Sequence, residues 1–279
     1  MPESLEVFLG SAIVFLLIGL GVGVLSGMLG IGGGTILVPL FKLGFGLPAL
    51  GATATSLFTI IPTSISGVIS HIRKGTCVVR LGVAAGLGGA LTSPLGVWLS
   101  FQSPEWATMV ACAIVIAYSA STMLTKAVKL WKAQRTTAPV RKEAAPNAAP
   151  YKAHFGVRSV VTAGIIGLIA GVLSGYVGLG GGFLIIPLFM QLLHMPMKLT
   201  SGTSLMAVMM LAVPGTVTQA LLGNVDWMAG ICVALGAVPG AVWGTKLLER
   251  ISEVRLRFMF GGFLLIASIL LILDQVLQA

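Results

Sequence analysis

Eight stretches of this chain carry no charged side chain: Val7–Phe41, Leu43–Ile72, Leu81–Pro104, Trp106–Thr125, Ser159–Met197, Leu199–Val225, Trp227–Thr245 and Phe258–Leu273. A helix of roughly 20 apolar residues crosses the hydrocarbon core of a bilayer, and each stretch is near or above that length. The chain is 56% hydrophobic and only 9% charged. That leaves too few polar side chains to cover a water-soluble globule, so an all-α integral membrane protein is expected. The N-terminus reads Met1-Pro-Glu-Ser-Leu-Glu6, without the basic residues of a signal peptide, and the apolar stretch behind it is too long for an h-region. Residues 7–29 are therefore expected as a retained, uncleaved helix.

The net charge of +9 is not spread evenly, for 15 of the 17 basic residues fall in three short stretches between apolar runs. These are Arg73, Lys74 and Arg80; Lys126, Lys129, Lys132, Arg135, Arg141, Lys142, Lys152 and Arg158; and Lys246, Arg250, Arg255 and Arg257. Clusters flanking apolar segments mark cytoplasmic loops, not a groove for nucleic acid. Cys77, Cys112 and Cys232 lack metal-ligand spacing and read as small core residues, so neither metal nor cofactor is expected.

The chain is a duplication. Gly23-Val-Leu-Ser-Gly-Met-Leu-Gly-Ile-Gly-Gly-Gly-Thr-Ile-Leu-Val-Pro-Leu-Phe41 aligns without a gap on Gly171-Val-Leu-Ser-Gly-Tyr-Val-Gly-Leu-Gly-Gly-Gly-Phe-Leu-Ile-Ile-Pro-Leu-Phe189, 148 residues on, with twelve of nineteen positions identical. The same offset pairs Pro48 with Pro196, Thr55-Ser56 with Thr203-Ser204, and Gly67, Gly75, Gly82 and Gly96 with Gly215, Gly223, Gly230 and Gly244.

Charges at equivalent turns differ. His71-Ile-Arg-Lys-Gly75 is basic and Gln219–Asp226 is not, while Ser100–Glu105 is uncharged by basic residues and its partner around Lys246–Arg257 carries four. Two inverted-topology repeats follow, residues 1–125 and 159–279, joined by a basic cytoplasmic linker, 126–158, with both termini outside. Each repeat is expected to hold a glycine-broken helix or re-entrant hairpin followed by three transmembrane helices. Lys42 fits this poorly, since it falls toward the outer side. The segments after the glycines, Thr35 to about Gly46 and Phe183 to about His194, make only ~18 Å of helix at 1.5 Å per residue, short of a ~30 Å core.

A run of three glycines inside hydrocarbon frees backbone groups from helical partners, which is tolerated only where the backbone is buried in protein or lines a watered cavity. The half-helix that follows presents N–H groups and the positive end of its dipole, a geometry that suits an anion. Gly32, Gly33 and Gly34, with Gly180, Gly181 and Gly182, are the first candidate site residues. Gly23 and Gly27 read more simply as helix-packing positions. Pro39 and Pro187 bend or end the short helices. Thr55, Ser56, Thr203 and Ser204 open the next helix of each copy and offer O–H donors to an oxyanion, or bond their own helix. His71 and Arg73, at a span end, are candidates for gating or proton coupling, or an ordinary interfacial pair. No carboxylate lies inside an apolar run, and no H-E-x-x-H, G-x-S-x-G or P-loop occurs. An enzyme is not expected, nor transport driven by ATP within this chain.

At Gly-Xaa-Gly-Gly-Gly followed by Pro-Leu in both copies, and at Ala52–Ser56 with its partner Leu199–Ser204, the chain resembles the TauE/SafE family of sulfite and organosulfonate exporters, over about Val7 to Leu277. The resemblance implies a bacterial inner-membrane permease moving sulfite or an organosulfonate outward. The residues and the resemblance together lead to the expectation of a secondary exporter in which one repeat rocks against the other around a small anionic substrate. A channel-like facilitator, a transporter of another small anion and a non-transporting assembly partner with a docking linker remain alternatives, and a homo-oligomer is left open.

Overall fold

A computed structural model describes residues 2–136 and 156–278, and these form ten helices. They are α1 Pro2–Leu29, α2 Gly34–Pro39, α3 Ala49–Arg73, α4 Val79–Gln102, α5 Glu105–Thr136, α6 Val157–Val177, α7 Gly182–Leu192, α8 Met197–Leu221, α9 Trp227–Arg250 and α10 Glu253–Gln278. Six of them, α3, α4, α5, α6, α8 and α9, are long and apolar enough to cross a membrane. The protein is thus an all-helical, multi-pass membrane protein. α5 continues past Thr125 to Thr136, so the first third of the expected linker is helical. The rest of it, 137–155, lies outside the described residues.

The short segments behave as their length demands. α7 has 11 residues, roughly 16 Å at 1.5 Å per residue. α2 has 6 and then runs into a π-helical turn, Leu40–Gly44. Pro39, with no N–H, leaves the carbonyl four residues back without its helical bond just where the wider turn begins. Pro187 sits inside α7 without ending it. Lys42 is buried in the π turn.

Where an apolar solvent removes the hydrophobic drive between helices, close backbone packing takes its place, and glycines permit it. α1 lies on α9 in this way: a Cβ at Gly19, Gly23 or Gly27 would collide with the carbonyl oxygens of Val233, Ala237 and Ala241, and one at Gly236, Gly240 or Gly244 with those of Leu16, Leu20 and Val24. The offset of 148 reproduces the contact with the roles of the repeats exchanged. Gly167, Gly171 and Gly175 of α6 meet the carbonyls of Ala85, Gly89 and Ser93 on α4, and Gly88 and Gly96 meet those of Gly164 and Val172. The two tightest seams of the molecule therefore each join one helix from either repeat.

α3 and α8 cross at the centre. Gly202, near the start of α8, is against His71 in the last turn of α3 and Thr76 in the turn after it, while Gly51 at the start of α3 lies 3.7 Å, measured from an added Cβ, from the Asn224 carbonyl after α8. α3 and α8 thus lie antiparallel. Of the cysteines, Cys77 is partly buried in the α3–α4 turn, where burial pushes its thiol up to about 11, and Cys232 is half-buried on α9. The Cys112 side chain lies outside the described residues.

These seams give a direct test. Gly23→Val forces α1 off α9 and is expected to lower unfolding stability in detergent by ~1–3 kcal/mol. Gly21→Ala, at a helical position with nothing within 4 Å, is expected to be neutral or slightly stabilising. Thermal unfolding of the two purified variants beside the unmodified protein checks both.

Candidate functional site

Six glycines hold φ between +70° and +89° at the two breaks: Gly30, Gly32 and Gly33 before α2, and their offset partners Gly178, Gly180 and Gly181 before α7. An L side chain is strained in that region, and three such residues within four positions explain why the motif is glycine. Helical bonding resumes at once. Ile36 and Leu37 N–H donate to Gly33 O at 3.0 Å, and Leu184 and Ile185 N–H donate to Gly181 O at 3.1 and 3.0 Å. The preceding amides, at Gly34, Thr35 and Phe183, are left as the open N-terminal ends of two half-helices.

The breaks are buried and lie against one another. An added Cβ on Gly34 would strike the Leu179 carbonyl, and one on Gly182 would lie 2.8 Å from Ile31 O and 2.9 Å from Gly30 O. Ile60 of α3 and Val208 of α8, themselves offset partners, close over them: Cβ atoms at Gly32 and Gly180 would approach Val208 Cγ1 and Ile60 Cδ1 to 2.6 and 2.7 Å.

The expected hydroxyls do not act as two pairs. Ser204 Oγ donates to Gly30 O at 2.6 Å and Ser201 Oγ to Met28 O at 3.0 Å, so α8 satisfies carbonyls that the first break releases. Ser56, the partner of Ser204, is buried with its hydroxyl unpaired. Thr55 and Thr203 point elsewhere. Thr55 Oγ1 accepts from the Asp226 N–H at 3.0 Å, just before α9, and Thr203 Oγ1 accepts from the Val78 N–H at 2.9 Å, just before α4, while donating to Leu199 O at 2.7 Å. Neighbouring residues on an α-helix are about 100° apart, so a Thr-Ser pair cannot aim both hydroxyls at one target. The residues that meet the breaks are instead Thr53, Ile60 and Ser64 on α3, with Ser56 on the same face by helical spacing, and Ser201, Ser204, Val208 and Leu211 on α8.

Sequence reasoning passed over four further hydroxyls. Ser26 and Ser174, one turn before either break, are buried without a partner, and their carbonyls accept from the Gly30 and Gly178 N–H groups at 2.8 and 2.7 Å. Added Cβ atoms on Gly33 and Gly181 would lie 3.7 and 3.4 Å from the two serine Cβ atoms. The identity of Ser26 and Ser174 within the repeat was the available signal. Thr35, in the first turn of α2, and Ser64, whose Oγ would lie 3.4 Å from a Cβ on Gly32, are also buried and unpaired. Their partners Phe183 and Ala212 carry no hydroxyl. Among the described residues no three His, Cys, Asp or Glu side chains are grouped to hold a metal. What surrounds the breaks is a set of backbone amides and hydroxyls, neutral donors suited to an oxyanion.

His71 is wholly buried rather than open at a channel mouth. Its Nε2 lies 3.0 Å from Gly27 O, which only accepts, so Nε2 carries hydrogen, and its Nδ1 is 2.8 Å from Thr76 Oγ1. The ring ties α3 and its following turn to α1. The offset partners repeat half of this clamp without a titratable group, Asn224 Nδ2 donating to Gln219 Oε1 at 2.8 Å. Arg73 is exposed on the other side of α3 and shares no contact with the ring. His71→Leu, which leaves Gly27 O unpaired, is expected to cost ~1–3 kcal/mol in unfolding stability, read by thermal denaturation.

The family described as Sulfite exporter TauE/SafE matches residues 15–271. A probable membrane transporter protein of Bacillus subtilis (strain 168), YunE, is 27% identical over 254 residues, covering 87% of this chain and 89% of its own. A second from the same organism, YdhB, is 28% identical over 235 residues, covering 84% and 89%. A TauE/SafE family protein 5 of Arabidopsis thaliana is 30% identical over 105 residues, which is 37% of this chain and 23% of that protein. No solved structure matches the chain. With its doubled Gly-Xaa-Gly-Gly-Gly breaks and a match over nearly its whole length, the chain belongs to the TauE/SafE family of sulfite exporters.

Proposed function

We propose that this protein is a secondary transporter that exports a small sulfur-containing oxyanion, sulfite or an organosulfonate, across the bacterial inner membrane by alternating access. The observation that carries the proposal is the meeting of the two breaks: two half-helix N-termini lie together in one buried region, beside the unpaired hydroxyl-bearing residues Ser26, Ser64 and Ser174 and with no carboxylate among its described neighbours. Amides, helix dipoles and O–H groups stabilise an anion without a fixed countercharge, so the ligand can leave as readily as it binds. The inverted-repeat reading draws support from the opposed α3 and α8. It is supported also by the gathering of Lys74, Lys198 and Glu249 at one end of the helices, where Lys74 Nζ is 3.0 Å from Glu249 Oε1 and Lys198 Nζ donates to Glu249 O at 3.3 Å. On this reading that basic end, with the linker 126–158, is cytoplasmic and both termini are outside.

On this proposal the moving bodies are pairs of helices drawn from both repeats, where the duplication alone suggests whole repeats. Rocking repeat 1 against repeat 2 would open both glycine seams, α1 on α9 and α4 on α6, and lose their backbone contacts together. Movement of one mixed pair, α1 with α9, relative to the other, α4 with α6, keeps each seam intact and shears only the break region between them. Ile60 and Val208, packed over the glycines, are the side chains that such a shear would part.

A channel-like facilitator is the second reading, favoured by the lack of a carboxylate at the breaks to couple a proton or cation. Proteoliposomes separate the two: uphill sulfite accumulation under an imposed pH gradient supports coupling, and flux that only dissipates the sulfite gradient supports the facilitator. The site itself is tested by Gly181→Ala and by the pair Ser26→Ala with Ser174→Ala. A methyl group at Gly181 would lie 3.3 Å from Ala170 O and from Leu211 Cδ2, close enough that they must give slightly, and φ there is +70°, so the alanine strains the break with ~1–2 kcal/mol without a severe clash. Sulfite efflux is expected to fall at least tenfold in each variant with membrane abundance unchanged; unaltered efflux in both removes the breaks as the site.

A further inference from the structure

Beyond the breaks, the last two turns of α3 and α9 form a groove that opens to the side of the molecule. Its floor is bonded internally: Ser66 Oγ donates to Val238 O at 2.8 Å, Ser70 Oγ is paired with Thr245 Oγ1, and Lys74 Nζ donates to Thr245 O at 2.9 Å while pairing with Glu249. A cavity of about 380 Å³ is lined by Ser66, Ile69, Ser70, Arg73, Lys74, Val242 and Lys246. A second, of about 440 Å³, continues along α9 past Trp243, Leu247 and Arg250 and shares Lys246 with the first. Lys74 is neutralised by Glu249, whereas Arg73, Lys246 and Arg250 hold no ion pair with a described residue. The walls below them are apolar and open, with Trp243 61% and Ile69 47% exposed.

The duplication supplies a built-in comparison. α4 packs on α8 as α9 packs on α3, and the partners of Arg73, Lys246 and Arg250 at the ends of that pair are Leu221, Trp98 and Gln102. The equivalent helix pair therefore ends without charge at these positions, and the packing does not require cations there. The C-terminal ends of α3 and α9 attract positive charge through their dipoles, but so do those of α8 and α4, which carry none.

The geometry points to a binding site for an anionic phospholipid: its phosphate between Arg73 and Lys246, with Arg250 beside it, and an acyl chain against Ile69, Val242 and Leu247. Two chemical features select this ligand. A phosphate diester offers oxygens to a guanidinium fork and an ammonium that the protein leaves unpaired. An acyl chain covers apolar surface immediately below, and Trp243, one turn before Lys246, offers an indole ring of the kind favoured at the headgroup region. A soluble anion would use only the upper half of the groove. The lipid would also brace the α3–α9 contact at one face only, since the equivalent positions on α8 and α4 carry no charge.

The test uses full-length protein in nanodiscs of phosphatidylcholine with and without phosphatidylglycerol, with bound lipid counted by native mass spectrometry and stability followed by thermal unfolding. Phosphatidylglycerol is expected to bind preferentially and to raise the unfolding temperature. Arg73→Gln with Lys246→Gln is expected to weaken that preference on the order of 30-fold, at about one decade or less per cation lost near a headgroup. Arg73→Lys with Lys246→Arg, which keeps both charges, should retain it and guards against misfolding or altered topology in the first pair. Equal phosphatidylglycerol preference in the uncharged pair and the unmodified protein overturns the proposal. So does an equal response to inorganic phosphate, which would make the groove a soluble-anion site.

Discussion

Every backbone amide and carbonyl placed in hydrocarbon must find a partner within the protein. The architecture is organised around two places where helical bonding is deliberately interrupted. Each break would be untenable against lipid. Here each is covered by the other, and the carbonyls freed at Met28 and Gly30 are taken up by Ser201 and Ser204 of the opposite repeat. The long helices serve that burial: α3 and α8 cap the breaks from either side, and the α1–α9 and α4–α6 seams hold the two repeats interlocked at backbone distance. Small residues thus have two separate uses in this chain. At the breaks they permit a left-handed backbone, and in the seams they permit contact.

Interlocking has a mechanical consequence. A chain made of two equal halves suggests two moving halves, but the strongest packing joins helices across the repeats instead of within them. Bodies that move in a close-packed protein are those whose internal contacts survive the motion. The α1–α9 and α4–α6 pairs keep their backbone contacts when each is taken as a unit, and whole repeats do not.

The two copies have also parted in chemistry while keeping their backbone. Thr35, Lys42, Ser64 and His71 of the first repeat stand where the second has Phe183, Met190, Ala212 and Gln219. A symmetric frame therefore encloses an asymmetric lining, with these four polar side chains on one side only. The basic groove at the ends of α3 and α9 is a second case of one backbone feature carrying charge at only one face.

Much of this was legible in the residues. Uncharged runs required lipid-embedded helices, the offset of 148 exposed the duplication, and three consecutive glycines before a segment too short to span located the interruptions. These follow from solvent and backbone geometry, which act locally and leave their mark in one stretch of chain. The choice among hydroxyls was not legible. Thr55 and Ser56 are adjacent in sequence but face an incoming loop and a break respectively, and Ser26 became a candidate only when its hydroxyl was found buried beside Gly33. His71, beside two cations in the sequence, turned inward to Gly27 and became a clamp. Composition and spacing decided that this chain lives in a membrane and breaks two helices there. Which side chains meet at the breaks was decided by helix rotation and by which helices share a seam, and both depend on contacts between residues far apart in the chain.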